Sequence, residues 1–379
     1  MTATMPRHSD VVVSTGPDIP TCGYTATGTW GIRETKTDAN SGTGASDDSD
    51  SRILSAPRIV TFTPAPSIDK VYFLDQVQAG QVNRAKRVTT YFAGNGVNVA
   101  RTLHLAGNTV SAVLPIERNR SNGAECKDEF EQVICGVEVG SPLRTNVILV
   151  DKSGITTNIN ALPAPLDPDE WGRLCKAVTD EIQRIGADWF VLGGTLPINT
   201  GTGKPVDIRP LFRAVRSHGV AICLDAPVGG ALKGWAKACQ PNLIKPNAEE
   251  LANLAGIPVR SLHDAVEAAT IVRARGVDTI LASLGPDGVL EISERGILWA
   301  SGPKTQVVNT TGAGDAALAG YLSVARLDSR MQGWRPEALR RAVSWGALAV
   351  QQATTLLPHI ITNPSDVKIT SPERDHLLT

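Results

Sequence analysis

The residues best suited to chemistry lie late in the chain, in Val307-Val308-Asn309-Thr310-Thr311-Gly312-Ala313-Gly314-Asp315-Ala316-Ala317. Gly312, Ala313 and Gly314 leave the backbone uncovered, so their N–H groups can approach a ligand closely. The Ala-rich run that follows reads as a helix, and the β-branched Val307 and Val308 read as the end of a strand. The uncovered amides then stand at a helix N-terminus, where unpaired donors and the positive dipole end favour an anion. Asp315 falls on the first turn, beside that anion. This pairing suits phosphoryl transfer. The amides stabilise charge on the moving group, and the carboxylate takes the proton from an attacking hydroxyl. Gly312, Ala313 and Gly314 are therefore candidate anion-hole residues, and Asp315 is the candidate general base.

Two other readings use the same residues. An Asp near a helix start often serves only as a cap. Gly312-Ala313-Gly314-Asp315-Ala316-Ala317 also fits G-x-G-x-x-A, the dinucleotide fingerprint of a nicotinamide-dependent oxidoreductase. Against the fingerprint, the stretch lies late in the chain rather than opening a βαβ unit. The position about 20 residues on, where a ribose-binding acid belongs, is occupied by Met331-Gln332-Gly333-Trp334-Arg335.

Other polar residues cluster in turns. In Ala93-Gly94-Asn95-Gly96-Val97-Asn98-Val99-Ala100-Arg101, Gly94 and Gly96 permit close ligand approach and Asn98 can offer an amide to a sugar hydroxyl. Pro64-Ala65-Pro66-Ser67-Ile68-Asp69 is a Pro-rich turn that places Asp69 near a strand end. Arg144 is either a solvated surface residue or a fork for two phosphate oxygens. Thr200-Gly201-Thr202-Gly203-Lys204-Pro205 fails as a P-loop. Ile198 stands where the first Gly belongs, and Pro205 replaces the hydroxyl that holds magnesium.

The elements that must position these residues read as α/β. Strands are expected over 58–62, 70–74, 85–92, 111–115, 145–150, 155–160, 189–192, 221–225, 243–247 and 279–283. Helices are expected over 171–185, 208–218, from 248 and over 262–275. Short apolar strands alternating with helices imply a mostly parallel sheet covered on both faces, with ligands at the carboxyl ends of its strands. The loops Gly193-Gly194-Thr195, Lys245-Pro246-Asn247-Ala248-Glu249-Glu250 and Ser283-Leu284-Gly285-Pro286-Asp287-Gly288 fall at that edge. The hairpin over 145–160 is expected to join the strands at 70–92 in a small sheet. Its exposed face offers a surface where two chains could pair as a homodimer.

Composition bounds the rest. The chain has 379 residues, 42% hydrophobic and 20% charged, which is enough for one large domain and a smaller appendage. A formal net charge of −1 gives no basic field for nucleic acid or an anionic membrane. The six cysteines include no C-x-x-C pair, so thiols in a reducing cytosol are the simplest account and a cytoplasmic location is expected. No transmembrane helix is expected. Residues 1–56 are rich in Ser, Thr, Gly and Asp and read as a disordered tail.

Taken together, these motifs resemble the PfkB family of ribokinase-like carbohydrate kinases. The nearest branch is that of sugar-phosphate kinases: 1-phosphofructokinase, tagatose-6-phosphate kinase and the minor 6-phosphofructokinase type. Asn309-Thr310-Thr311-Gly312-Ala313-Gly314-Asp315 is similar to its C-terminal signature, and Gly94-Asn95-Gly96-Val97-Asn98 to its N-terminal one. The resemblance implies a ribokinase-like kinase domain over 57–365 with a small β-sheet lid within 69–92 and 144–161, followed by a tail over 366–379. It implies ATP and Mg2+ as cofactors and a small sugar or sugar phosphate as substrate. Asp69, Gly94, Asn95, Gly96, Asn98, Arg144 and Asn146 would face that substrate. Lys245, Asn247, Ser283, Gly285, Gly288 and Gly314 would face ATP, and Glu250 would hold magnesium through water. The sequence departs from the pattern at Ala65 (usually Asn), Asn95 (often Lys) and Asn199 (usually Gly). Those departures are the features of a kinase-like binder without catalysis, or of a kinase of an unphosphorylated sugar.

Overall fold

The computed structural model describes residues 55–118, 129–153, 155–225, 239–326, 333–360, 364, 366–373 and 375–379. The tail expected over 1–56 lies outside them except at Ser55 and Ala56.

Strands that are mostly apolar form the middle of the main sheet, because both of their faces are covered. These are β1 (Ile59–Phe62), β8 (Trp189–Gly193) and β11 (Ala221–Asp225), buried along their whole length. With β4 (Val110–Glu117), β5 (Ile134–Val139), β12 (Leu243–Ile244), β13 (Thr279–Ser283), β14 (Val289–Ser293), β15 (Gly296–Ser301) and β16 (Lys368–Thr370), the order is β16-β15-β14-β13-β12-β11-β8-β1-β4-β5. Neighbours from β5 to β13 are parallel, and β14 to β16 continue antiparallel.

Alternate residues of one strand feed two cores. Val60, Phe62, Phe190 and Leu192 pack with α2 (Pro168–Ile185), α3 (Arg209–Ser217), α4 (Ala248–Ala255) and α5 (Leu262–Arg273). Ile59, Trp189 and Val191 pack on the other face with α1 (Asn95–Leu105), α6 (Ala313–Leu322) and α7 (Trp334–Val350). Helix starts carry their own signals: α2, α4 and α5 each open on a reciprocal capping box, at Asp167/Glu170, Asn247/Glu250 and Ser261/Asp264.

A second sheet has the order β3 (Arg87–Ala93), β2 (Ser67–Phe73), β6 (Arg144–Val150), β7 (Thr156–Ile159). This is the small sheet expected from the hairpin, with β2 and β6 parallel and Asp69 opposite Asn146. Its period of two buries Asp69, Val71, Tyr91, Asn146 and Ile148 on one face, leaving Val88 and Ile159 exposed on the other. The short hairpin of β9 (Ile198–Asn199) and β10 (Lys204–Pro205) occupies the stretch rejected as a P-loop.

One expectation is overturned. Val307 and Val308 end no strand: β15 stops at Ser301, and the chain runs irregularly to Gly312. Val307 is 59% exposed, and the Val308 and Asn309 amides both donate to Val350 O at 2.7 and 3.1 Å. β-branched residues favour a pleated surface only where a neighbouring strand supplies one, and here none does. β5, β14, β15, β16 and α7 were not anticipated from the sequence.

The final residues fold back onto the loop after β13. His376 Nε2 lies 2.7 Å from Asp287 Oδ1, and the Thr379 amide and hydroxyl donate to Asp287 Oδ2 at 2.8 and 3.1 Å. Trp299 Nε1 donates to the Asp287 carbonyl at 2.7 Å. Asp287→Ala strands several of these donors and should lower unfolding free energy by about 1–3 kcal/mol in chemical denaturation.

Candidate active site

Helix α6 begins with Gly312 as its N-cap, at φ 81, in the left-handed region that favours glycine. No side chain caps it, and the amides of Gly312 and Gly314 have no protein acceptor among the described residues. The Ala313 amide turns back toward Thr310 O at 3.3 Å. The loop before the helix is held by Asn309, whose Oδ1 accepts from the Thr311 amide at 2.9 Å.

Asp315 is 7% exposed. Its Oδ2 accepts from Asn98 Nδ2 at 2.8 Å, a contact between residues 217 positions apart. Asn98 arrives on α1, whose N-cap Gly94 has φ 127. The glycines of that turn are explained first by packing: a Cβ at Gly94 or Gly96 would fall 2.8 Å from Thr63 Cγ2 or 2.5 Å from Thr63 Oγ1. Asn95, half-buried, sits at the same helix tip beside Gly194.

Two further charged residues share this burial. Asp225 ends β11, and Lys245 follows β12. Lys245 Nζ lies 3.2 Å from Asp225 Oδ1, and both side chains are buried. Lys245 also passes close to the helix tip, since a Cβ on Gly314 would come 2.9 Å from Nζ. Burial alone would depress the Lys245 ammonium, but Asp225, Asp315 and Glu250 together push it up, so it stays charged. Burial, then the Asp225 charge, pushes the Asp315 carboxyl up to about 7, opposed by Lys245 and the Asn98 hydrogen bond. Asp225 Oδ2 is buried without a hydrogen-bond partner.

A second group lies on the buried face of the small sheet. Asp69 Oδ1 accepts from Ser67 Oγ at 2.7 Å and Asn146 Nδ2 at 3.0 Å. Burial raises the Asp69 carboxyl, against those hydrogen bonds and the charges of Arg144 and Arg101. Arg144 is half-buried. Its guanidinium donates to the carbonyls of Ala65 at 3.0 Å, Ala161 at 3.2 Å and Pro66 at 3.4 Å, so it fastens the Pro-rich turn.

The two groups meet through the small sheet. The Thr355 amide donates to Tyr91 OH at 3.4 Å, and Thr355 Oγ1 lies 3.3 Å from Asn98 Oδ1. Asn158 Nδ2 donates to Thr311 Oγ1 at 3.3 Å, joining β7 to the loop before α6. At the carboxyl end of β13, Ser283 bridges to Asn247 and its amide donates to Pro246 O at 2.9 Å. Gly285 and Gly288 follow in the same loop. Asn247 and Glu250 are held by the α4 capping box, at 2.8 and 2.9 Å, which accounts structurally for their spacing. Sequence reasoning missed Asp225, Tyr91 and Thr355. Only Asp225 carried a signal, as an acid at the carboxyl end of an apolar strand.

This geometry can be set beside known proteins. Residues 63–361 match the family described as pfkB family carbohydrate kinase. The chain belongs to that family. It is a carbohydrate kinase, a phosphotransferase acting on a sugar hydroxyl, and the dinucleotide reading of Gly312–Ala317 falls away. The 1-phosphofructokinase of Escherichia coli (strain K12) is 30% identical over 306 residues, covering 78% of this chain and 92% of that protein. That of Haloferax volcanii is 29% identical over 325 residues, covering 83% and 98%. Phosphofructokinase-2 from Escherichia coli, solved with substrates and products, superposes with a TM-score of 0.64 at 26% identity, covering 80% of this kinase and 96% of that chain. A possible 1-phosphofructokinase from Thermotoga maritima, 16% identical with a TM-score of 0.67 over 83% of this chain and 100% of its own, shares the fold. Among the described residues, no helix is long and apolar enough to cross a membrane.

Lys245 is paired with Asp225 and its charge acts on Asp315. Lys245→Met removes the positive charge beside Asp225 and Asp315 and should cost about 3–5 kcal/mol of unfolding free energy at neutral pH. The deficit should shrink as pH falls and the raised Asp315 carboxyl takes up a proton, which denaturation curves at two pH values will show.

Proposed function

We propose that this kinase transfers the γ-phosphoryl group of ATP to a hydroxyl of a hexose phosphate, with fructose 1-phosphate the first candidate. The observation that carries the reading is Asp315, buried at the N-terminus of α6 beside unpaired amides and tethered by Asn98. Similarity to proteins named 1-phosphofructokinase supports the sugar phosphate.

The sugar hydroxyl approaches Asp315 Oδ1, the oxygen that Asn98 does not engage. As its oxygen bonds to the γ-phosphorus, the hydroxyl proton passes to Asp315, and the bond to the bridging oxygen breaks with its electron pair leaving on ADP. The Gly312 and Gly314 amides and the dipole of α6 offset the charge that develops on the phosphoryl oxygens. Lys245, held charged by its carboxylate neighbours, adds a fixed positive charge at the same place. Asp69 and Asn146 hold sugar hydroxyls, while Arg144 fixes the turn that carries Asp69. Ser283, Asn247, Gly285 and Gly288 form the loops assigned to the nucleotide. Asp225, whose Oδ2 lacks a partner, and, through water, Glu250 would hold magnesium, which would offset charge on the phosphates. The small sheet acts as a lid that excludes water, and its open face, with Val88 and Ile159 exposed, pairs two chains.

A coupled ADP-release assay over fructose 1-phosphate, fructose 6-phosphate, tagatose 6-phosphate and unphosphorylated sugars tests the assignment; release with none of them removes it. Asp315→Asn should keep sugar binding and lose about 100-fold or more in kcat. A mutant as fast as the parent would show that Asp315 is not the base. Because Asp315 must be ionised to accept a proton and its carboxyl is pushed up to about 7, kcat/KM should fall about tenfold per unit of pH on the acid side of that value.

A further inference from the structure

Asn98 is gripped from both ends. Its Nδ2 donates to Asp315 Oδ2 at 2.8 Å, and its Oδ1 accepts from Thr355 Oγ1 at 3.3 Å. The two ends of a primary amide have nearly the same shape, so packing distinguishes them poorly and hydrogen bonds must set the orientation. An ionised carboxylate only accepts, so it demands the NH2 end. A threonine hydroxyl can donate, so it suits the oxygen end. With both partners present, one orientation satisfies everything; the flipped amide would set Oδ1 against a carboxylate oxygen. Asn98 is 7% exposed and Thr355 8%, so bulk water does not replace either partner.

Thr355 is itself fixed. Its amide reaches Tyr91 OH, and its methyl packs beside Gly312, where a Cβ would come 2.8 Å from Thr355 Cγ2. One residue thus touches the amide that holds Asp315, the glycine that opens α6, and a tyrosine of the small sheet. None of the sequence motifs includes it.

We propose that Thr355 is a positioning residue for phosphoryl transfer: its hydroxyl fixes the Asn98 amide, which in turn aims Asp315 at the sugar hydroxyl. The inference rests on the kinase reading of Asp315 given above. Removing the hydroxyl leaves Asn98 Oδ1 as a buried acceptor without a donor, so the amide is held at one end only and its grip on Asp315 loosens. Misplacing a base costs turnover, whereas the nucleotide loops at Asn247 and Ser283 are untouched.

Thr355→Val keeps the side-chain shape and the contact with Gly312 but removes the hydroxyl. Its kcat should fall about tenfold or more, with KM for the nucleotide within about twofold of the parent. Thr355→Ser restores the hydroxyl and should return kcat close to the parent value. A Thr355→Val enzyme with parental kcat, or a Thr355→Ser enzyme as slow as Thr355→Val, overturns the proposal. A second measurement does not depend on turnover. Thermal unfolding of Thr355→Val, Asn98→Ala and the double variant should be less than additive, because both single changes remove the same hydrogen bond. Strict additivity overturns the contact. If the parent releases no ADP with any sugar, the assignment of Asp315 fails, while the unfolding cycle still decides whether Thr355 holds Asn98.

Discussion

Among the described residues, two carboxylates buried beside the Lys245 ammonium set the terms for the rest of this fold. Asp225 and Asp315 share Lys245, and removing such charges from water costs several kcal/mol per ion unless partners are placed for them. The partners come from four separate stretches: the end of β11, the segment after β12, the first turn of α6 and the first turns of α1. A parallel sheet is the architecture that can deliver them, since its strands all end on one edge and its helices all begin near that edge. The N-terminus of α6 then contributes positive dipole where negative charge collects. The charge balance of this cluster and its place at the N-terminus of α6 are consequences of the same topology.

The small sheet solves a different problem. A period of two places Asp69, Tyr91 and Asn146 on its buried face without any irregularity in the strands. Pairing Asp69 with Asn146 across parallel strands fixes the register of the sheet and the orientation of the carboxylate together. The same face reaches the segments before α6 and after α7 through Asn158 to Thr311 and Tyr91 to Thr355. The group that would hold the acceptor and the group that would activate it are therefore mechanically joined. Arg144 stabilises this arrangement by serving three carbonyls, a use of the planar guanidinium that needs no ligand.

Local signals in the chain were most legible where one short segment carries its own physics. The apolar runs of β1, β8 and β11 admit no other role than central strands. The Gly312 turn announced a helix start, and the Asn247 and Glu250 spacing is a capping box whatever else it does. Legibility failed where an element depends on its neighbour. Val307 and Val308 have strand chemistry but no strand beside them. The antiparallel extension β14 to β16 exists because β13 offers an edge, which nothing in the individual segments encodes. Helix α7 is covered by α6 and the sheet, so its face carries no sharp polar boundary to detect.

By itself the sequence determined the class of fold and the family, and it singled out Asp315 and Asn98 as candidate site residues on loops expected at one edge of the sheet. These depend on residue type and short spacing, which survive without coordinates. Tertiary structure decided that Asn98 binds Asp315 directly, that Asp225 and Lys245 share its burial, and that Thr355 completes the network. Those are contacts across tens to hundreds of residues. A hydrogen bond requires atoms within about 3.5 Å, and only the folded chain specifies which distant residues reach that separation.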